Sequence, residues 1–476
     1  MKPTPLSDVA QVTGGRVEHA ENPTVLVGPE VVIDSRQVSP GALFVALPGE
    51  HVDGHAYVAA AGEAGAAAAI VERPVADGIP QIVVADPVAA LSALATWIVR
   101  GAPNLTVVGI TGSAGKTSTK DLVAHLLESA GPTIAPPGSF NNEIGAPLTA
   151  CRVAADSRFL VAEMGARGLG HVAELARIIP PTIGVVLNVG SAHVGEFGSA
   201  AIIAQAKGEL VEALDARGWA VLNADDPRVI AMAARTAAPI VAFSAVTDPH
   251  TTGAAVRIWA TDIVADPLQR HSFTLHLARG AAAESAPVTL GLVGDHQVLN
   301  ALAAAGAAAA AGLSIEEIAT RLSTAIPRSP WRMELTERRD GVTILNDAYN
   351  ANPEAVLAAL GTLTRLRRGS GRLVAALGDM LELGDDSSRA HRDVGRRAAE
   401  LGIDELVAIG DFAAHMVAGF GVSSRPARSV ATIDDMTRHL RATLTPADVV
   451  LLKASRGLGL ERVALTLVDD QEGADS

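Results

Sequence analysis

Between about Leu105 and Ser244, short apolar runs alternate with stretches in which apolar residues recur at helical spacing. The short runs are LTVVGIT, FLVAEMG, TIGVVLNVG, GWAVLN and APIVAFS. Strands that alternate with helices in this way are typical of a parallel α/β sheet. From Val256 to Val293 the apolar period changes to two, as in RIWATDIV and SFTLHLA, which predicts an antiparallel addition to that sheet.

A second alternating series begins at Val342 and contains VTILNDAYN, RLVAALGDM, ELVAIGD and DVVLLKAS. It predicts a Rossmann-like open sheet at the C-terminus. Before Leu105, the runs VVIDSRQVSPGALFVALPGE and QIVVAD indicate a small mixed α/β domain. We therefore predict an α/β protein of three domains, with a mostly parallel, P-loop ATPase-like sheet in the centre. The predicted boundaries are 1–103, 104–327 and 328–476, and the clefts between the domains are candidate ligand sites.

Composition narrows the possible partners and the compartment. The net charge of −14 argues against nucleic acid as the main partner, because such binding rests on clustered Lys and Arg. The single cysteine, Cys151, excludes an intrachain disulfide framework and fits a reducing cytoplasm. The run VLNALAAAGAAAAAGL from Val298 is mostly Ala, and we expect a buried helix there rather than a membrane span. The N-terminal residues lack the features of a secretory signal, and no coiled-coil pattern is present, so we expect a cytoplasmic monomer.

The stretch GITGSAGKTS, from Gly109 to Ser118, is the first candidate for chemistry. It departs from the pattern G-x-x-x-x-G-K-[ST] because Ile110 stands at the first Gly position. It nevertheless follows a predicted strand and precedes a predicted helix, where backbone N–H groups and the helix dipole bind phosphate. Lys116 would reach the terminal phosphates of ATP and the Thr117 hydroxyl would bind Mg²⁺. The alternative is a Gly-rich turn with an exposed lysine.

Two further residues are predicted at the same sheet edge. Glu163 ends the run FLVAEMG, and His193 follows the next strand within NVGSAHVGEFG. Mg²⁺ prefers hard oxygen ligands, usually one or two carboxylates completed by water and phosphate. Both residues are metal-site candidates, although each could be an ordinary loop residue.

Lys207 lies on the apolar stripe of the helix SAAIIAQAKGELVEALDARG, four residues after Ile203. An ammonium that faces the interior is costly unless it is paired. One interpretation is a lysine whose amine reaches solvent at the edge of the stripe. The other is a carbamylated lysine, which would offer a metal an anionic oxygen ligand near Glu163 and His193.

These pieces occur together in the Mur ligase family, the ATP-dependent amide ligases that build the peptidoglycan stem peptide, and the chain resembles that family nearly end to end. The matching blocks are DSRQVSPGALFVALPGEHVDGHAYV, GITGSAGKTSTK, NNEIGAPLT, EMGARGLGH, NVGSAHVGEFGS, AKGE, GDHQVLNALAA, RMELTERRDGVTILNDAYNANPEA, LGDMLELG and KASRGLGLE. Within the family, NDAYNANP and LGDMLELG resemble the branch that joins D-alanyl-D-alanine to UDP-N-acetylmuramoyl-tripeptide. The resemblance thus implies these two substrates, ATP and Mg²⁺, and a UDP-substrate-binding role for the N-terminal domain.

The resemblance also implies the site residues. Those implied to bind ATP are Thr111, Gly112, Ser113, Ala114, Gly115, Lys116, Thr117, His296, Asn300, Arg332, Asn346, Asp347, Tyr349, Asn350 and Asn352, with Asp347 at the ribose and Arg332 reaching phosphate from the domain junction. Those implied to bind the metal are Thr117, Glu163, His193 and carbamylated Lys207. Those implied to bind the UDP-linked substrate are Ser35 and Arg36 at the uridine diphosphate end and Asn141 and Asn142 at the muramoyl-peptide end. Of these residues, Lys116, Glu163, His193, Lys207 and Arg332 are the expected catalytic set.

The last block departs from the family pattern, since KASRGLGLE stands where KGSR and a Met-containing sequence are more common. The roles of Lys453, Ser455 and Arg456 are therefore left open, and Arg167 and Gly168 receive none. Two other functions remain as alternatives. One is another ligase of the superfamily, such as a diaminopimelate-adding enzyme or folylpolyglutamate synthetase; the other is a regulatory P-loop NTPase that only switches a binding surface.

Overall fold

A computed structural model of the chain describes residues 1–20, 22–49, 52–76, 79–190 and 199–469. Within these ranges the chain forms three successive α/β units, each with its own main sheet, which confirms the predicted fold class. Residues 101–105 connect the first unit to the second, and residues 324–333 connect the second to the third.

The N-terminal unit is built on a five-stranded sheet in the order β2-β7-β6-β5-β4, in which only the β2–β7 pair is antiparallel. A separate antiparallel pair joins β1 to β3. The described strands are β1 (Thr4–Pro5), β2 (Arg16–Glu18), β3 (Leu26–Val27), β4 (Val31–Val32), β5 (Leu43–Val45), β6 (Ala68–Val71) and β7 (Gln81–Val83). The described α-helices are α1 (Leu6–Thr13), α2 (Val58–Glu63) and α3 (Pro87–Arg100). 

The central unit is built on a nine-stranded sheet in the order β16-β15-β14-β13-β12-β11-β8-β10-β9. Strands β8 to β13 are parallel, and β14, β15 and β16 form the predicted antiparallel addition, with β14 itself joining β13 in parallel. The strands are β8 (Thr106–Thr111), β9 (Thr133–Ile134), β10 (Phe159–Glu163), β11 (Ile183–Val186), β12 (Trp219–Asn223), β13 (Ile240–Ser244), β14 (Val256–Ala265), β15 (Arg270–Arg279) and β16 (Ala282–Val293). The described α-helices are α4 (Lys116–Leu127), α5 (Gly145–Ala150), α6 (His171–Ile178), α7 (Ala200–Glu212), α8 (Pro227–Ile230), α9 (His296–Ala310) and α10 (Ile315–Ser323).

The Ala-rich run is the buried helix α9, as predicted. It packs against α4 and against strands β12, β13 and β14. Small side chains allow this close approach, since a Cβ at Gly306 would lie 2.8 Å from a methyl carbon of Val221. None of the helices in the described part of the chain has the length and apolar composition needed to cross a lipid bilayer.

The C-terminal unit is built on a six-stranded sheet in the order β17-β18-β22-β19-β20-β21. Only the edge strand β17 is antiparallel to its neighbour. The strands are β17 (Glu334–Glu337), β18 (Thr343–Asn346), β19 (Leu373–Gly378), β20 (Glu405–Ile409), β21 (Ala427–Val430) and β22 (Val449–Lys453). The described α-helices are α11 (Pro353–Arg365), α12 (Ser387–Glu400), α13 (Ala413–Phe420), α14 (Ile433–Thr443) and α15 (Glu461–Asp469). The carboxyl ends of β18 and β22 lie side by side and face the central unit.

Candidate active site

A cavity of about 990 Å³ lies between the central and C-terminal units. Open α/β sheets place ligands beyond the carboxyl ends of their strands, and this cavity lies beyond those of β8 and β10. Fifteen of the residues predicted from sequence line it: Ser113, Ala114, Gly115, Lys116, Thr117, Asn141, Asn142, Glu163, His296, Asn300, Arg332, Asp347, Tyr349, Asn350 and Asn352. The structure thus brings the phosphate loop and the distant Asp347 block to one space.

The remaining predicted residues lie elsewhere. Thr111, Gly112, Lys207 and Asn346 are outside the cavity lining. Ser35 and Arg36 are in a 3-10 turn of the N-terminal unit, where the Arg36 guanidinium pairs with Asp34 at 2.7 Å. His193 lies outside the described residues.

The phosphate loop connects β8 to α4. Ile110 is a fully buried strand residue, so the departure from the sequence pattern falls in the sheet and the turn itself begins after Thr111. Gly115 precedes the helix with φ of +83°, and a Cβ there would lie 2.5 Å from Asn300 Oδ1. Only glycine meets both conditions, because it tolerates positive φ and has no side chain.

Lys116 is the first residue of α4, and its Nζ donates a hydrogen bond to Gly112 O at 2.8 Å. Burial lowers the pKa of this amine, and Glu163 opposes that effect. The loop is further held by Asn188, whose amide accepts from Ala114 N at 2.9 Å and donates to Ala114 O at 3.1 Å. Sequence reasoning missed Asn188, which is a single polar residue after an apolar strand.

Glu163 ends β10 and is 1% exposed. Its Oε2 accepts from Thr117 Oγ1 at 2.9 Å, and its Oε1 accepts from Ser139 Oγ at 2.9 Å and from Asn141 Nδ2 at 2.7 Å. Three donors fix the carboxylate in one orientation. Ser139 was also missed from sequence, although it lies two residues before the predicted Asn141.

The Thr117 hydroxyl and the Glu163 carboxylate form an adjacent pair of hard oxygen donors. Within the described residues there is no group of three or more His, Cys, Asp or Glu side chains placed to hold a metal. Mg²⁺ is commonly bound by one or two protein oxygens, with phosphate and water completing its shell. The donor set therefore fits Mg²⁺ that arrives with a nucleotide.

Lys207 lies on the buried face of α7 and is 5% exposed. Burial lowers the pKa of its amine to about 7, and the nearby Lys116 lowers it further. Among the described residues, none forms a hydrogen bond or ion pair with this amine. The lowered pKa favours the neutral amine, which is the form that reacts with CO₂.

The C-terminal wall of the cavity carries an ion pair between Asp347 and Lys453. Lys453 Nζ lies 2.5 Å from Asp347 Oδ2 and donates to Asn350 O at 2.8 Å. Asp347 Oδ1 accepts from Met333 N at 3.1 Å. Lys453, whose role the sequence left open, thus orients the predicted ribose contact. Asn352 caps α11 by accepting from Ala355 N at 2.8 Å.

Arg332 reaches the cavity from the connection between the two units. Its guanidinium lies 4.1 Å from the centre of the Tyr349 ring, and its buried Nε has no hydrogen-bond partner in the described chain. Arg456 stacks on Trp331 at 4.1 Å in the same corner. His296, the first residue of α9, also lines this part of the cavity. Burial lowers the pKa of its ring, and the negative charge of Asp347 opposes that effect.

Family models match three parts of the chain. Residues 30–96 match the Mur ligase family catalytic domain, residues 110–308 the Mur ligase middle domain and residues 331–456 the Mur ligase glutamate ligase domain. The UDP-N-acetylmuramoyl-tripeptide–D-alanyl-D-alanine ligase of Mycobacterium tuberculosis H37Rv is 44% identical to this chain, and the alignment covers 98% of both. The ligase of that name from Escherichia coli K12 is 32% identical, again over 98% of both chains.

Solved structures agree with these relatives. MurF from Acinetobacter baumannii superposes with a TM-score of 0.84 at 30% identity, covering 98% of this chain and 99% of that one. MurF ligase from Thermotoga maritima, solved in complex with ADP, gives a TM-score of 0.75 at 28% identity, covering 94% and 98%. On this full-length similarity, the chain belongs to the Mur ligase family.

Proposed function

We propose that this protein joins D-alanyl-D-alanine to UDP-N-acetylmuramoyl-tripeptide at the expense of ATP. The observation that carries the proposal is one cavity in which the phosphate loop and Glu163 face Asp347 and Lys453. Relatives that bear the name of this activity match the chain over 98% of its length. ATP fits this cavity because its phosphates can bind the phosphate loop of the central unit while its ribose binds Asp347 of the C-terminal unit.

The reaction follows from the chemistry of a carboxylate, which is a poor acyl donor at neutral pH because it lacks a good leaving group. A carboxylate oxygen of the tripeptide forms a bond to the γ-phosphorus of ATP, while the bond from that phosphorus to the bridging oxygen breaks and ADP leaves. The D-alanyl-D-alanine amine then attacks the carbonyl carbon of the acyl phosphate. Inorganic phosphate leaves and the nitrogen loses a proton, which completes the amide.

Lys116 and Arg332 stabilise the negative charge on the phosphoryl group while it is transferred, one from each side. This electrostatic stabilisation is the main catalytic contribution. Thr117 and Glu163, together with His193 and carbamylated Lys207, would hold Mg²⁺, which supplies charge neutralisation at the phosphates when bound. Ser139 and Asn141 keep the Glu163 carboxylate aimed at this position.

The UDP-linked substrate has two chemically distinct ends, a uridine diphosphate and a peptide. We assign its uridine diphosphate end to Ser35 and Arg36 in the N-terminal unit and its peptide end to Asn141 and Asn142 at the cavity. Asn142 helps to shape this end, since its side chain accepts from Gly145 N at 2.8 Å at the start of α5. The peptide carboxylate then points towards the phosphate loop.

A phosphate-release assay tests the proposal. Purified protein is given ATP and Mg²⁺ with UDP-N-acetylmuramoyl-tripeptide, with D-alanyl-D-alanine, with both, or with neither. The tripeptide is supplied with either diaminopimelate or lysine as its third residue, and the product is identified by mass. We expect release above background only when both substrates are present.

The two other functions predict different results in this assay. ATP turnover that is indifferent to both substrates would indicate a regulatory NTPase. A further arm of the assay supplies a dipeptide-linked UDP substrate with free diaminopimelate, and product formation in that arm would indicate the branch of ligases that adds diaminopimelate. Either result would contradict the proposal.

We also propose that the enzyme acts in the cytoplasm as a monomer, since its single cysteine fits a reducing compartment and the described walls of the cavity come from one chain. Cell fractionation tests the first statement. Light scattering at the concentration of the assay tests the second, and a mass twice that of the chain would contradict it.

A further inference from the structure

Lys120 is a buried charge to which the proposed chemistry gives no task. It lies one helical turn after Lys116 in α4, is 1% exposed and does not line the cavity. Its Nζ donates to Pro136 O at 2.7 Å and pairs with Asp121 Oδ1 at 2.5 Å. Burying an ammonium is costly unless it is paired. The two interactions of Lys120 offset that cost.

The bond to Pro136 tethers the segment that orients Glu163. Three residues after Pro136, Ser139 donates to Glu163 Oε1, and Asn141 donates to the same oxygen. Lys120 therefore fixes where this segment leaves the body of the central unit. Lys120 therefore affects the position of the Glu163 carboxylate indirectly, through Ser139 and Asn141.

The pair with Asp121 extends this connection to residues 324–333, the linker between the central and C-terminal units. While Oδ1 of Asp121 faces Lys120, its Oδ2 accepts a hydrogen bond from Ser329 N at 3.1 Å. Ser329 is buried and lies three residues before Arg332. Asp121 thus fastens the linker to α4 immediately before the arginine that reaches the cavity.

A second contact holds the same linker at the C-terminal end of α4, where Glu128 follows the last helical residue. Arg328 donates to both oxygens of Glu128 at 2.6 Å. Both side chains of this ion pair are about one-third exposed. We therefore expect it to hold the linker less strongly than the buried pair of Lys120 and Asp121 does.

We propose that Lys120 and Asp121 are positioning residues for phosphoryl transfer. Both residues lie in the first turns of α4. They fix the segment that orients Glu163 and the linker that positions Arg332 at the cavity. Lys116, Glu163 and Arg332 come from separate parts of the sequence. Lys120 and Asp121 set the spacing between them. This inference rests on the proposed ligase function.

The test uses three variants of the full chain in the ligation assay. Lys120→Met removes the charge and keeps the length of the side chain. Asp121→Ala removes both contacts of the carboxylate, whereas Asp121→Asn keeps an acceptor for Ser329 N. We expect kcat to fall by about 10- to 100-fold in the first two, because displacing a catalytic group by ~1 Å costs up to ~100-fold. We expect a smaller fall in Asp121→Asn and little change in KM for ATP in all three.

Coupling to Arg332 separates positioning from a general loss of structure. In the double variant of Asp121→Ala with Arg332→Lys, we expect the losses in kcat to be less than multiplicative, because both changes remove the same contribution. Arg257→Met is the matched control, since it breaks a partly buried ion pair with Asp248 in the same unit, and neither residue lines the cavity. It should lower Tm without lowering kcat.

Hydrogen exchange provides a readout that does not depend on activity. In Asp121→Ala the amide of Ser329 should exchange faster than in the unsubstituted protein, while peptides from β11 and β12 stay protected. Unchanged exchange at Ser329, a kcat equal to that of the unsubstituted protein, or fully multiplicative losses would overturn the inference. If the unsubstituted protein does not ligate, the proposed function fails, and the exchange experiment still tests the tethers.

Discussion

Lys207 combines two properties that are seldom found in one residue, since it is a potential cation and it lies on the apolar face of a helix. Its depressed pKa of about 7 follows from burial and from the charge of Lys116. The sequence could place it on this face because Ile203 and Leu210 define the stripe, and both are buried. What the sequence could not provide is the environment of the amine, which depends on residues far along the chain.

Replacing Lys207 with Ala should abolish ligation, because it removes the amine that would carry the carbamate ligand. Adding a short-chain carboxylic acid should restore part of the activity, since the free carboxylate can occupy the vacated space. The measurement is initial rate against acid concentration. Lys116→Ala in the same titration is the control, and its rate should not respond. A Lys207→Ala variant that keeps full activity without added acid would show that the residue is structural.

Replacing Lys116 with Ala should lower kcat by about 10² to 10³-fold, as expected when one donor to a developing charge is lost. The reason is the position of its amine at the start of α4, beside the phosphate-binding turn. Lys2→Ala is the matched control, because Lys2 is exposed and lies outside the cavity lining. Near-normal ATP-dependent ligation by Lys116→Ala would refute the assigned role.

Among the site residues, only a few carried a local signal in the sequence. Glu163 ends a strand, so periodicity predicts its edge of the sheet, and the phosphate-loop pattern identifies Lys116. Residues such as Arg332 and Asp347 were implied only by the family resemblance. Ser139 and Asn188 were missed, since each lies in a connection between elements and has no periodic signal. Lys120 was missed for another reason, because a lysine in the first turns of a helix is ordinarily solvated.

At the scale of elements, the strand β8, the phosphate turn and helix α4 were predictable together, because each carries a local signal. The packing of α9 on α4 was not, since a run of Ala specifies burial but no partner. That packing brings Asn300 against Gly115, and Asn300 Oδ1 also accepts from Thr119 Oγ1 at 3.3 Å. A helix that is distant in sequence therefore shapes the phosphate turn.

Helix α12 carries His391, a fully buried histidine whose two ring nitrogens are both occupied. Its Nε2 accepts from Met380 N at 2.9 Å, and its Nδ1 donates to Ser387 O at 2.6 Å. This arrangement requires the neutral ring, and burial lowers the pKa below the ordinary value of 6.5. The unfolded chain therefore takes up a proton before the folded chain as pH falls.

We accordingly expect the free energy of unfolding to fall as pH drops below about 6.5, with a slope from this group of at most about 1.4 kcal/mol per pH unit. The variant His391→Asn should be less stable at pH 8 but should lose less on going to pH 5.5. Urea unfolding at the two pH values measures both. Equal pH dependence in the variant and the unsubstituted protein would contradict this expectation.

At the scale of the whole molecule, the predicted ATP site is divided between two units that are joined by one linker. Periodicity predicted both sheets, but the orientation of one unit against the other depends on side-chain contacts that no local pattern encodes. One such contact joins Arg365 of α11 to Asp295 at 2.7 Å and to Gln269 at 3.0 Å. These residues border the block that begins α9.

We expect the chain to become more compact when a non-hydrolysable ATP analogue and the UDP-linked substrate are both bound. The reason is that their binding groups lie on separate units, so contacts to both favour the closed arrangement. Small-angle scattering of the free and the doubly bound protein measures the change in radius of gyration. The analogue with uridine diphosphate alone is the control for nonspecific effects, and an unchanged radius with both ligands would argue against closure.

The division of the cavity wall between two tethered units also bears on inhibition. A ligand held first by the phosphate turn meets the Asp347 wall at a high effective concentration, because the linker keeps that wall nearby. Contacts to the second wall then cost little translational entropy, so affinity rises steeply once a molecule spans the gap. A compound that touches one wall forfeits this gain. Bivalent molecules matched to the separation between Lys116 and Lys453 are therefore the rational starting point for inhibitors of this enzyme.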